Sequence, residues 1–159
     1  MADEAPTAAR LRRGLVALAL LGTIGTALEL LLLRHFDGAL QLIPWVALAV
    51  LGVAIALVAL RPSPRSIRTA RILAGGVLVT SVVGVAIHVN ANFDAGPLDF
   101  RYTASWPTLS DAERWFLAVT DTVGPSPTLA PMASAFMALA LLLATLGHPA
   151  VSQTAPATG

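Results

Sequence analysis

The chain has 159 residues, of which 56% are hydrophobic and only 12% charged, with a formal net charge of +1; a soluble domain carries about 25% charged residues. So few charges cannot cover a water-facing surface, which excludes an ordinary soluble globule. The absence of cysteine removes disulfides, Cys-ligated zinc, iron–sulfur clusters and thiol redox catalysis from the chemistry open to the chain.

In chain order, residues 1–9, "MADEAPTAA", are small, polar and Pro-containing and read as a flexible terminus, as do residues 150–159. Arg10, Arg12 and Arg13 follow, and then an apolar run over 14–33. Further apolar runs cover 39–60, 72–89 and 127–146. Each is roughly 18 to 22 residues, the length of α-helix that crosses a hydrocarbon core of about 30 Å. The predicted fold is therefore an all-α integral membrane protein: one membrane domain built as a four-transmembrane-helix bundle. The first run has no A-x-A-like cleavage site and is followed by three more, so it reads as a retained span rather than a secretory signal. "FDGA" joins the first two spans and "RPSPRS" the second and third, each as a tight turn.

The long connection before the fourth span has two halves. In the first, Asp94-Ala95-Gly96-Pro97 signals a turn, and the alternation of Leu98, Phe100 and Tyr102 predicts a short extended stretch. In the second, Ser110 and Glu113 form an S-x-x-E capping box, after which Ala112, Trp115, Phe116, Val119 and Val123 repeat with helical spacing until Gly124-Pro125. This predicts a short amphipathic helix over 110–123, with Asp111, Glu113 and Arg114 toward water. It also predicts that the helix lies at the outer membrane interface, where Trp and Tyr are enriched.

Orientation follows from the arginines, which supply all ten basic residues. Arg10, Arg12 and Arg13 precede the first span, and Arg61, Arg65, Arg68 and Arg71 flank the second connection. The other two connections hold Arg34, Arg101 and Arg114 among six acids, Asp37, Asp94, Asp99, Asp111, Glu113 and Asp121. The positive-inside rule then places both termini in the cytoplasm of a multi-pass protein of the cell (inner) membrane. Basic residues gathered at a membrane surface answer to topology and anionic lipid, so no nucleic-acid partner is inferred. Arginine without lysine, amid so much Ala, Leu and Gly, points to a GC-rich bacterial genome.

Two ionisable residues interrupt the apolar runs. Glu29 lies 15 residues, about 22 Å, above residue 14, and His88 lies 16 residues, about 24 Å, above residue 72. Parallel spans would bring them to the same outer depth. Gly22, Gly25 and Thr26 share the face of Glu29, and Ala74, Ser81 and Gly84 that of His88. Small residues mark closely packed sides of membrane helices, so both stripes are expected to face inward and let Glu29 meet His88. His35, Gln41 and Asn92 complete the candidate polar cluster, with Asn90, Ser134, Met132 and Met137 nearby. His148, between Gly147 and Pro149, reads only as a favourable cation at a helix C-terminus.

A carboxylate–imidazole pair can relay a proton or bind a cationic or lipid-like ligand. Glu29, His35 and His88 lack zinc-type spacing, and His35 sits in a solvated turn unsuited to haem, so no catalytic or metal residue is assigned and no cofactor is expected. The function expected is that of a non-catalytic structural or accessory subunit of a membrane complex. The alternative is a cofactor-binding or proton-coupled carrier using Glu29 and His88. The expected partners are the lipid bilayer and a membrane protein or second copy.

Overall fold

The computed structural model describes residues 4–152. The described residues form α-helices joined by turns and two short 3-10 segments, with no strand among them. The helices are α1 (Glu4–Leu32), α2 (Ala39–Leu60), α3 (Pro64–Ala95), α4 (Asp111–Val119), α5 (Met132–Thr145) and α6 (Pro149–Ser152). Of these, α1, α2 and α3 are long and apolar enough to cross a membrane. Only 6% of the most apolar window of α1 is buried within the protein, and Leu21, Leu32, Leu60, Ile72 and Val79 are all exposed. A protein in water does not present so much continuous aliphatic surface, whereas a lipid-facing helix requires it. Length, composition and this exposure together point to a membrane location.

Helix bounds depart from expectation in ways that local chemistry explains. Residues 4–9, expected to be flexible, form the first turns of α1, whose Ala and Arg content favours helix; residues 1–3 and 153–159 lie outside the described residues. The helix ends in a Schellman arrangement. His35 N–H bonds the Leu30 carbonyl at 2.9 Å and Arg34 N–H the Leu31 carbonyl at 3.0 Å, with Arg34 itself at φ 52°. Helix α3 starts eight residues before the apolar run, because Pro64 suits a first helical position and Ser63 caps it, accepting from Ser66 N–H at 3.1 Å. It then runs past residue 89 to Ala95, so that Asn90 and Asn92 are helical, and stops where Gly96-Pro97 opens a 3-10 turn.

The fourth apolar run behaves differently from the other three. Its helix, α5, has 14 residues, about 21 Å, and is too short to span by itself. Pro131 is the cause. A proline bars its predecessor from the helical region, so 127–131 fold as turns closed by Ala130 N–H to Pro127 O and Met132 N–H to Leu129 O. Gly147, at φ 56°, ends the helix on the other side.

The chain divides into two compact units. One holds the residues up to Thr80 together with those from Ala133 onward. In it, Ala19 of α1, Leu48, Leu51, Ala54 and Ile55 of α2, Ile67, Ala70 and Ala74 of α3, and Ala138 and Leu141 of α5 form the core. The buried set on α2, from Ala47 to Val58, recurs at helical spacing. Alanines dominate because small side chains let apolar helices approach closely. Gly22 is the tightest of these approaches, since a Cβ there would lie 2.6 Å from Met137 Sδ.

The second unit is Ser81–Met132. Its interior is aromatic: Phe93 of α3 stacks on Trp115 at 4.3 Å between centroids and meets Trp106 edge-on at 5.7 Å. Gly96 lies against the Trp106 ring, leaving no room for a Cβ. The expected extended stretch at Leu98, Phe100 and Tyr102 is instead a chain of turns, with Tyr102 and Thr103 N–H both bonded to the Asp99 carbonyl. An alternating segment without a partner strand has no ladder to hold it extended.

Candidate functional site

Asn92 is the best-connected of the residues singled out from the sequence. Helix α3 carries it to the centre of the second unit, where it is fully buried. Its Nδ2 donates toward the carbonyls of Ser126 (2.8 Å) and Ala118 (3.3 Å) and toward Thr128 Oγ1 (3.3 Å) and Asp121 Oδ1 (3.4 Å). Its Oδ1 accepts from Ser126 N–H at 2.9 Å. Gly124, at φ 87°, fits against it, and any Cβ at that position would collide with Asn92. Asn92 therefore ties α3 to α4 and to the segment after it, and it offers no free donor to a ligand.

His88 lies one turn earlier on α3, past the buried Ala74 and Ser81, with Gly84 close-packed on Pro131. Its Nδ1 is 2.7 Å from the Pro127 carbonyl. A carbonyl oxygen can only accept, so Nδ1 carries a proton. Asn90 turns back to the Ala86 carbonyl at 2.8 Å.

In the other unit, Gln41 Oε1 accepts from Asp37 N–H at 2.7 Å and so closes the turn between α1 and α2. The same turn is fastened by Trp45 Nε1, which donates to the His35 carbonyl at 2.7 Å. Glu29 is exposed near the end of α1, and its carboxylate makes no ion pair among the described residues. Only part of its small-residue stripe packs as expected: Gly22 meets Met137, while Gly25 has open space where a Cβ would be. Met137 is a packing residue, also touched by the Thr23 hydroxyl at 3.6 Å. Ser134 is buried. Among the described residues no three His, Asp or Glu side chains gather as a metal site would require.

Helix α4 starts on the expected capping box. Ser110 Oγ accepts from Glu113 N–H at 3.3 Å, and Glu113 Oε2 accepts from Ser110 N–H at 2.8 Å. A third bond, from the Ser110 hydroxyl, holds the Glu113 carboxyl below the usual carboxylate range. The helix ends at Val119 rather than at 123, because Asp121 adopts φ 58° and Thr122 N–H closes on the Leu117 carbonyl. Trp115 stacks on Phe93 and, like Phe116 and Val119, keeps exposed surface. Arg114 departs from expectation: it turns inward to the Pro107 carbonyl at 3.2 Å, with its Nε buried and unbonded. Outside α4, Arg101 grips Asp99 through two bonds, at 3.0 and 2.7 Å, and bonds the Thr122 carbonyl, which holds the Asp99 carboxyl below its ordinary range.

Sequence reasoning missed the end of α5. Two guanidiniums from other helices cap its end and the turn after it: Arg12 of α1 reaches Ala144 O (3.1 Å) and Gly147 O (3.3 Å), and Arg71 of α3 reaches Thr145 Oγ1 (3.0 Å) and O. Cations at a helix C-terminus complement its dipole, so the role expected of His148 falls to these arginines. His148 is buried beside them and accepts from Ala150 N–H through Nδ1 at 3.2 Å. Burial, and then the charges of Arg12 and Arg71, push its pKa below 6.5. No local pattern in the sequence marks this cluster, because its members are more than 50 residues apart. The chain matches no family model, no curated protein and no solved structure.

Proposed function

We propose that the chain is a multi-pass protein of the bacterial inner membrane, crossing it four times with both termini in the cytoplasm, and that it serves as a non-catalytic structural or accessory subunit of a membrane complex. The observation that carries the functional half is the engagement of the polar candidates. Asn92, Gln41 Oε1 and His88 Nδ1 are committed to holding connections in place. Ligand and proton pathways need polar groups left free for the cargo.

The four-span reading draws support from the arginine clamp, which fixes the C-terminal end of α5 to the Arg-bearing starts of α1 and α3. A helix of about 21 Å that ends there crosses the remaining thickness with its flanking turns and a locally thinned bilayer. In this arrangement α4 lies at the outer interface, with the exposed Phe116 and Val119 toward lipid.

Two observations favour the alternative, a proton-coupled carrier: the engagement of His88 through Nδ1 alone, and a Glu29 carboxylate with no ion pair, both among the described residues. Proton flux into proteoliposomes separates the two. A structural subunit gives the flux of empty vesicles in both the wild type and Glu29→Gln, whereas a flux present in the wild type and lost in Glu29→Gln establishes the carrier. A visible absorbance band or stoichiometric metal in the purified protein would establish a bound cofactor.

A further inference from the structure

Between α2 and α3 runs an open groove of about 540 Å³. Leu42, Val46 and Val50 of α2 form one wall, and Ile72, Gly76 and Thr80 of α3 the other. The lining is mostly apolar, and the Thr80 hydroxyl is turned back onto the Gly76 carbonyl at 2.9 Å. Gly76 has open space where a Cβ would be, and Ile72, Val46 and Leu42 are exposed.

The α3 wall has a charged extension. Arg68, Ile72, Gly76 and Thr80 are spaced by four residues and share one face of the helix, and Arg65 lies one turn before Arg68. Arg65 and Arg68 are both exposed, and neither makes an ion pair or side-chain hydrogen bond among the described residues. Their neighbour Arg71 is spent on Thr145. The acids of this unit whose side chains are described, Glu29 and Asp37, lie near and beyond the far end of α1. A guanidinium pair uncompensated among the described residues, at one end of a greasy trough, matches a molecule with an anion at its head and a hydrocarbon tail. Long arginine side chains reach the headgroup level readily while their stems stay in oil.

We propose that the α2–α3 groove holds an acyl chain of an anionic glycerophospholipid whose phosphate is bound by Arg65 and Arg68. This does not depend on whether the protein is a subunit or a carrier. The occupant is a lipid rather than a second copy because two like charges, Arg65 and Arg68, follow the groove on the α3 side, and a second copy of the same surface would repel them.

Native mass spectrometry of the detergent-purified protein, titrated with phosphatidylglycerol or phosphatidylcholine of identical chains, tests it. Phosphatidylglycerol should be retained in preference. Arg65→Gln with Arg68→Gln, both on the exposed surface, should weaken it roughly tenfold and leave phosphatidylcholine unchanged. Gly76→Leu, which fills the groove, should weaken both lipids with the helical circular dichroism unaltered. Equal retention of the two lipids by the wild type overturns the proposal, as does undiminished retention in Gly76→Leu. Inorganic phosphate held equally by the wild type and Gly76→Leu, without lipid, would make the site a free-anion site. A dimer dissolved by Gly76→Leu would make the occupant a second copy.

Discussion

Asn92 and His148 are both buried polar residues, and they face opposite demands. Asn92 has every donor and acceptor satisfied within the second unit. Asn92→Ala should therefore remove the Asn92 bonds to the Ser126 amide and carbonyl, at about 1–3 kcal/mol each before relaxation and hydration, while the Ala118 carbonyl keeps the Asp121 N–H and the Thr128 hydroxyl. Amide hydrogen exchange of residues 118–128 should rise by at least tenfold, while α1 and α2 keep their protection. Unchanged exchange would mean that Asn92 does not organise the segment. His148 is held neutral by burial and by Arg12 and Arg71. Its folded pKa lies below its unfolded value, so the unfolded chain binds the extra proton first. Stability is thus full above about pH 6.5 and declines as pH falls from there through the folded pKa. The expected outcome is a Tm that drops as pH falls below about 6.5 in the wild type and drops less in His148→Gln. Equal slopes would show that other groups set the acid sensitivity.

At the scale of an element, α4 is the clearest case of a helix specified locally. Its capping box was legible in four consecutive residues, and the structure forms both reciprocal bonds. Ser110→Ala should cost about 1 kcal/mol and fray the first turn, read as faster exchange at Ala112 and Glu113. What could not be read was which side of α4 packs. Trp115 and Phe116 are equivalent to a periodicity argument, yet Phe93 stacks on the first alone, and the second is the more exposed. Helix α5 carries the opposite lesson: a continuous apolar run overstated its length because Pro131 removes the first turn.

For the whole molecule, the proposed crossing number has a direct test. Reporter fusions after Ser63 and after Ser152 should both read as cytoplasmic, and one at Thr103 as external, if the arginine asymmetry sets orientation. An external signal after Ser152 would reduce the spans to three and make α5 a helix that packs without crossing. Arg12→Ala combined with Arg71→Ala should loosen α5, seen as proteolysis near Gly147, because two charged capping groups are lost from one helix end.

The amino-acid sequence by itself determined the all-helical class, the three long apolar helices, the tight turns at Gly38 and Ser63, and the start of α4. Each of these rests on chemistry within a few residues: hydrophobic run length, proline and glycine, and a capping pair. Only the tertiary structure decided the rest. It set Asn92 at the centre of a buried network, closed Gln41 on its own turn, and brought Arg12 and Arg71 onto the end of α5. A hydrogen bond formed over 130 positions of chain leaves no periodic trace, because its two ends are selected by packing in space and not by spacing along the backbone.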